Sequence, residues 1–148
     1  ICQGGYEQRI GAVMNGISRE WLRSALMDLR SIEKVIDDEF LTPIACFHAQ
    51  QCVEKSLKAV LENDGNEVPK SHNVIKLYGL IQERHEFLLD FDWLQRVGEL
   101  YIDARYPSEF GLLPNGKPST AEAGEYYRFA KEVYEMVEVL LLEAKDSD

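Results

Sequence analysis

At 148 residues, with 45 % apolar and 28 % charged side chains, the chain suits one domain that buries a core without metals or disulfides. Its formal net charge of -10 excludes a free-standing binder of long nucleic acid, whose affinity rests on neutralising phosphates. A small nucleotide, a short RNA end at a local basic spot, or a basic protein partner is compatible with that charge.

In chain order, Ser18 reads as the N-cap of a first helix. There Trp21, Ala25, Leu29, Ile32 and Ile36 recur at spacings of three and four. Thr42-Pro43 opens a second helix, with a threonine cap and a proline where no N–H is needed, and Gly65-Asn66 stops it after about Asp64. Ser71 or His72 starts a third helix through Leu77, Leu80 and Ile81. Asp92 followed by Gln95 reads as a capping box for a fourth, which Pro107 ends after Tyr106.

Gly111 to Pro118 is a turn-rich loop, tightest at Asn115-Gly116. Ser119 with Glu122 is a further capping box. It opens a long last helix whose apolar positions Tyr126, Phe129, Ala130, Val133, Met136, Val137, Leu140 and Leu141 hold the helical period. These elements predict an all-α, antiparallel up-and-down helical bundle of four to five helices. Residues 1–17 are expected as a tail, 18–145 as the bundle and 146–148 as a second tail.

Cysteines Cys2, Cys46 and Cys52 make no disulfide framework. The last two are six residues apart on one helix and point about 120° apart. This pattern suits a reducing cytoplasm. No apolar run approaches the roughly 20 residues of a membrane span. Ile1-Cys2-Gln3-Gly4-Gly5 lacks the architecture of a signal peptide. His48 and Cys52, four apart, are too few for a metal site, and no metal or cofactor is expected.

Two stretches carry the chemistry. On the second helix, Cys46, Ala49, Val53, Leu57 and Val60 fall within about 80° and form a core stripe. Phe47, Gln50, Glu54 and Lys58 run round one flank, with Gln51 and Lys55 further out. Glu54 and Lys58 stand four apart in the favourable order. Periodicity alone favours a solvated flank with one weak ion pair. In the second stretch, Arg105 and Tyr106 occupy the predicted last turn before Pro107. A cation there complements the helix dipole, while a guanidinium beside a tyrosine and a glycine-bearing loop can also hold phosphate bidentately. The residues leave both readings open.

Phe47-His48-Ala49-Gln50-Gln51, Glu54-Lys55, Leu57-Lys58-Ala59, Ser71-His72-Asn73, Leu77 and Ala104-Arg105-Tyr106-Pro107 together resemble the HEPN domain family, a nucleotide-binding domain of higher eukaryotes and prokaryotes. Trp21, Ala25 and Asp28-Leu29 match that family's usual first helix, so the resemblance spans about residues 18–142. It implies a helical up-and-down bundle. Many members are encoded beside a minimal nucleotidyltransferase and act in toxin–antitoxin or stress modules. Catalytic members cleave RNA without metal at a dimer interface, using an arginine followed a few residues later by a histidine.

Here Arg105 is followed by Tyr-Pro-Ser-Glu-Phe-Gly-Leu, and all three histidines, His48, His72 and His85, lie upstream. The usual ribonuclease pair is incomplete, so no catalytic residue is assigned. The resemblance then implies an accessory protein that binds a nucleotide or an RNA phosphate, works with a nucleotidyltransferase and forms a homodimer. Arg105 and Lys58 would hold phosphate, Tyr106 would stack on or hydrogen-bond the ligand, and Glu54 would orient a basic side chain. Gln51 and Lys55 would lie across the groove, and Lys117 would close over it. The alternatives are a purely protein-binding bundle without ligand and a residual metal-independent endoribonuclease.

Overall fold

A computed structural model describes residues 16–101 and 116–146, with side chains followed to residue 142. The described residues form an all-α bundle: α1 (Gly16–Val35), a short 3-10 turn (Glu39–Leu41), α2 (Thr42–Asn63), α3 (Val74–Gln82), α4 (Phe91–Gly98) and α5 (Thr120–Asp146). No strand occurs among them. The expected fold class is the observed one.

The core follows the predicted stripes. Ala25, Leu29 and Ile32 of α1 are buried, as are Phe129, Ala130, Val133, Val137 and Leu141 of α5. The predicted α2 stripe of Cys46, Ala49, Val53, Leu57 and Val60 is wholly excluded from solvent. But α2 is not an ordinary amphipathic helix. Cys52, Ser56 and Ala59 are buried too, and α1, α3, α4 and α5 all pack against it. It is the central rod of the bundle, so nearly every side of it must be apolar or internally paired.

The helix ends depart from the predicted caps in instructive ways. Ser18 does not cap α1, which already includes Gly16 and Ile17 from the expected tail. Its buried hydroxyl donates to the Ala59 carbonyl at 2.7 Å, tying α1 to α2 across 41 residues of chain. A hydroxyl with no access to water needs such an acceptor. Thr42 is likewise no cap. Its hydroxyl donates to the Pro118 carbonyl at 2.7 Å and fastens the start of α2 to the approach of α5. The far end of α2 stops where expected. Gly65 takes a left-handed φ of 78°, and the Gly65 and Asn66 amides donate to the Glu62 and Leu61 carbonyls. That pair of bonds is a Schellman motif, for which glycine carries no Cβ penalty.

Asn73, not Ser71 or His72, caps α3 by accepting from the Ile75 and Lys76 amides. Asp90, not Asp92, caps α4 by accepting from the Trp93 amide. The fourth helix is also shorter than expected, ending at Gly98. Beyond it the Leu100 and Tyr101 amides turn back to the Val97 and Gly98 carbonyls. Glycine's poor helix propensity favours the stop, and leaving the helix there also drives Leu100 into the core and lays Tyr101 on His72. The last box is as expected: the Glu122 amide donates to Ser119 Oγ at 3.0 Å, and the Ser119 amide to Glu122 Oε1 at 3.1 Å.

Candidate functional site

The α2 backbone sets Gln50, Glu54 and Lys58 four residues apart, one above another on one face. Their spacing favoured a solvated flank; instead they are 1 %, 4 % and 5 % exposed. The cover is non-local. Trp21 of α1 lies with its ring 5.3 Å from Lys58 Nζ, and the chain before α3 brings His72 over Glu54. A lysine this buried requires a counter-charge, because an unpaired ammonium in the interior costs several kcal/mol (about 3–5 when a partner is removed).

Glu54 supplies it and organises everything around it. Lys58 Nζ donates to Glu54 Oε2 at 2.9 Å, and Gln50 Nε2 to Glu54 Oε1 at 3.1 Å. His72 Nδ1 lies 3.1 and 3.2 Å from the two carboxylate oxygens. Gln51 Nε2 donates in turn to Gln50 Oε1 at 2.7 Å, which fixes the orientation of both amides. The His72 ring then stacks on Tyr101, with centroids 4.3 Å apart and planes 12° from parallel. The His72 side chain is 51 % exposed and Tyr101 39 % exposed. The result is a polar seam with a buried ionic end and an aromatic end that meets solvent.

Of the residues proposed from the sequence, the structure brings Gln51, Glu54 and Lys58 together here. Lys55, one step further round α2, turns away to Asp28 of α1. Its Nζ lies 2.9 Å from Asp28 Oδ2, an ion pair by distance without hydrogen-bond alignment. His48 Nδ1 takes the other oxygen, Oδ1, at 2.8 Å. Lys117 sits with its ammonium 5.8 Å from the Phe40 ring, at the other end of α2. Glu54 lies twelve residues beyond Thr42, about 18 Å along the axis. Lys117 is thus brought to Phe40 and not to the seam. Arg105 and Tyr106 lie outside the described residues.

Gln50, His72, Tyr101 and Trp21 complete the seam and were not among the residues singled out for it. Gln50 had a signal, its place in the four-residue ladder with Glu54 and Lys58. The others had none that periodicity could carry, because their meeting depends on folding.

The thiols contribute no reactive centre. Cys46 is pushed up to about 12 by burial, with Glu122 adding to it. Cys52 is pushed higher still, first by burial and then by the Asp28 charge. Both are free, and Cys52 Sγ contacts the Ala130 carbonyl instead of pairing with His48. All three histidines rest on carboxylates: His48 on Asp28, His72 on Glu54 and His85 on Asp64. Among the described residues no group of three or more His, Cys, Asp or Glu is placed to hold a metal ion.

A helical bundle threaded by a central helix, with a paired polar seam on that helix, defines the class of protein. The chain matches the HEPN domain over residues 18–140 and belongs to that family. Membership ties it to nucleotide- and RNA-related function. Among solved structures it is similar to TT1696 from Thermus thermophilus, with a TM-score of 0.66 and 26 % identity over 84 % of this chain and 98 % of that one. It also shares its fold with ST0689, an archaeal HEPN homologue, with a TM-score of 0.61 and 24 % identity over 84 % and 97 % of the two chains. No match was found among curated proteins. No described helix is long and apolar enough to cross a membrane.

Proposed function

We propose that the protein is a HEPN-type accessory that binds a nucleotide or an RNA phosphate at the solvent end of the polar seam. In this reading it works in the cytoplasm with a minimal nucleotidyltransferase, as a homodimer, in a toxin–antitoxin or stress module. The observation that carries the binding site is the half-exposed His72–Tyr101 stack, seated on the buried Glu54–Lys58 pair. A preformed aromatic surface of this kind accepts a nucleobase, and stacking of this sort is worth about 1–3 kcal/mol per base.

The charge balance of the seam supports the following division of roles. Lys58 is neutralised by Glu54 and screened by Trp21, so it cannot be the main phosphate holder. That role falls to Arg105, four residues after Tyr101, with Tyr106 adding a second ring or a hydroxyl. Gln51, linked through Gln50 to the network, offers a carboxamide for a base edge. Lys55 and Lys117 have other partners and stay outside the site. RNA cutting has no support here, because each histidine lies upstream of Arg105 and is held by an acid.

Isothermal titration with a panel of mono- and dinucleotides tests this reading. Binding should disappear in Arg105→Ala and weaken about tenfold in Tyr101→Ala. Absence of binding by the wild type, or binding unchanged in Arg105→Ala, would sink the site assignment. Co-purification with the product of a neighbouring nucleotidyltransferase gene tests the partner separately.

A further inference from the structure

The outer face of α5 presents a second surface, unrelated to the seam. Glu132, Glu135, Met136, Val139 and Leu140 follow one another at offsets of 3, 4, 7 and 8 from the first, so they form one stripe along the helix. Glu86, Phe87 and Leu88, from the chain between α3 and α4, wall the stripe on one side and enclose a groove of about 450 Å³. Phe87 is buried, but Leu88 is 77 % exposed and Val139 50 %. Such exposure for large aliphatic side chains beside one another marks a surface suited to a partner.

We infer that this groove docks an amphipathic helix of another protein, one whose apolar stripe is flanked by lysines or arginines. Three observations choose that occupant. The stripe spans nine residues of α5, a rise of about 12 Å, which matches the two turns over which a helix presents anchors at i, i+3, i+4 and i+7. Every charged residue lining the groove is a glutamate, and among the described residues no cation lines it beside Glu86, Glu132 and Glu135. A basic flank on the partner supplies that balance and steers the encounter toward a chain of net charge -10.

The same charges argue against a second copy of this chain. A two-fold interface would set these glutamates against their own equivalents. Anionic lipid and nucleic acid are repelled for the same reason. The docking surface does not depend on the nucleotide reading, and either can fail without the other.

The test uses the whole chain and a labelled synthetic helix of about 14 residues, with leucines at i, i+3, i+4 and i+7 and lysines elsewhere. Its counterpart carries glutamates in place of the lysines. Fluorescence anisotropy should show binding of the lysine peptide, weakening with salt, and none of the glutamate peptide. Leu88→Ser and Val139→Ser should each weaken it about tenfold. Glu132→Gln with Glu135→Gln should reduce the salt dependence. Phe40→Ser removes another exposed ring, 80 % accessible and on the 3-10 turn, and should change nothing. Unchanged melting by circular dichroism shows that the variants fold.

Equal binding by Leu88→Ser and wild type would overturn the inference, as would an equal loss in Phe40→Ser. So would a homodimer, seen by light scattering, that Leu88→Ser converts to monomer, because a second copy would then occupy the groove.

Discussion

Asp28 and Glu54 are both buried acids, and each is held by one lysine and one histidine, yet they join different parts of the molecule. Asp28 stands on α1 and takes both partners, His48 and Lys55, from α2. Those partners keep a third and a fifth of their side-chain surface in water. Glu54 takes its lysine from its own helix and its histidine from the chain before α3. Its lysine is almost as buried as the acid. The first arrangement is a clamp between two helices. The second is an ionic seat for an aromatic stack that reaches solvent. Residue types alone do not identify a site; the direction in which the network opens does.

Removing the acids separates the two roles. Glu54→Ala strands the Lys58 ammonium in the interior and should cost about 3–5 kcal/mol, measured by urea denaturation. A loss below about 1 kcal/mol would mean that Lys58 swings out to water, and the seam would then resemble the clamp. Asp28→Ala should cost less, about 1–3 kcal/mol, because Lys55 and His48 can both turn to solvent.

Alkaline pH heightens the contrast, because Cys52 lies beside Asp28. Both buried thiols hold their protons more tightly when folded, Cys46 up to about 12 from an ordinary 9.0. The unfolded chain therefore loses these protons first as pH rises. Stability from this source is complete below pH 9 and falls between about 9 and 12, by up to about 1.4 kcal/mol per thiol per pH unit. Denaturation midpoints at stepped pH should show the decline, and Cys46→Ala should make it shallower. The smallest effect is expected at the rim. His72→Ala should change stability by no more than about 1 kcal/mol, since a half-exposed partner adds little to a pair already satisfied by Lys58 and Gln50.

What could be read before folding is what neighbours in sequence decide. The Ser119–Glu122 box, the Gly65 stop and the stripes of α2 and α5 depend on residues a turn or two apart, and they were legible. Ser18 and Thr42 carried the right residue types for caps, but their hydroxyls serve acceptors 41 and 76 residues away. The burial of Gln50, Glu54 and Lys58 escapes the local pattern for the same reason. A flank of α2 looks solvated until Trp21 and His72 are laid over it. Resemblance to the family pointed at His72 and at the four-residue ladder on α2, but gave no reason for their meeting at Glu54.

Trp21 has a practical consequence. The chain has two tryptophans, and the other, Trp93, sits on α4 in edge contact with Tyr126 and stacked on Phe129. A Trp93→Phe variant would leave one indole, with the Lys58 ammonium 5.3 Å from its ring. Its emission would respond to the position of that charge, giving an intrinsic optical record of whether the ionic end of the seam moves when a ligand reaches the aromatic end.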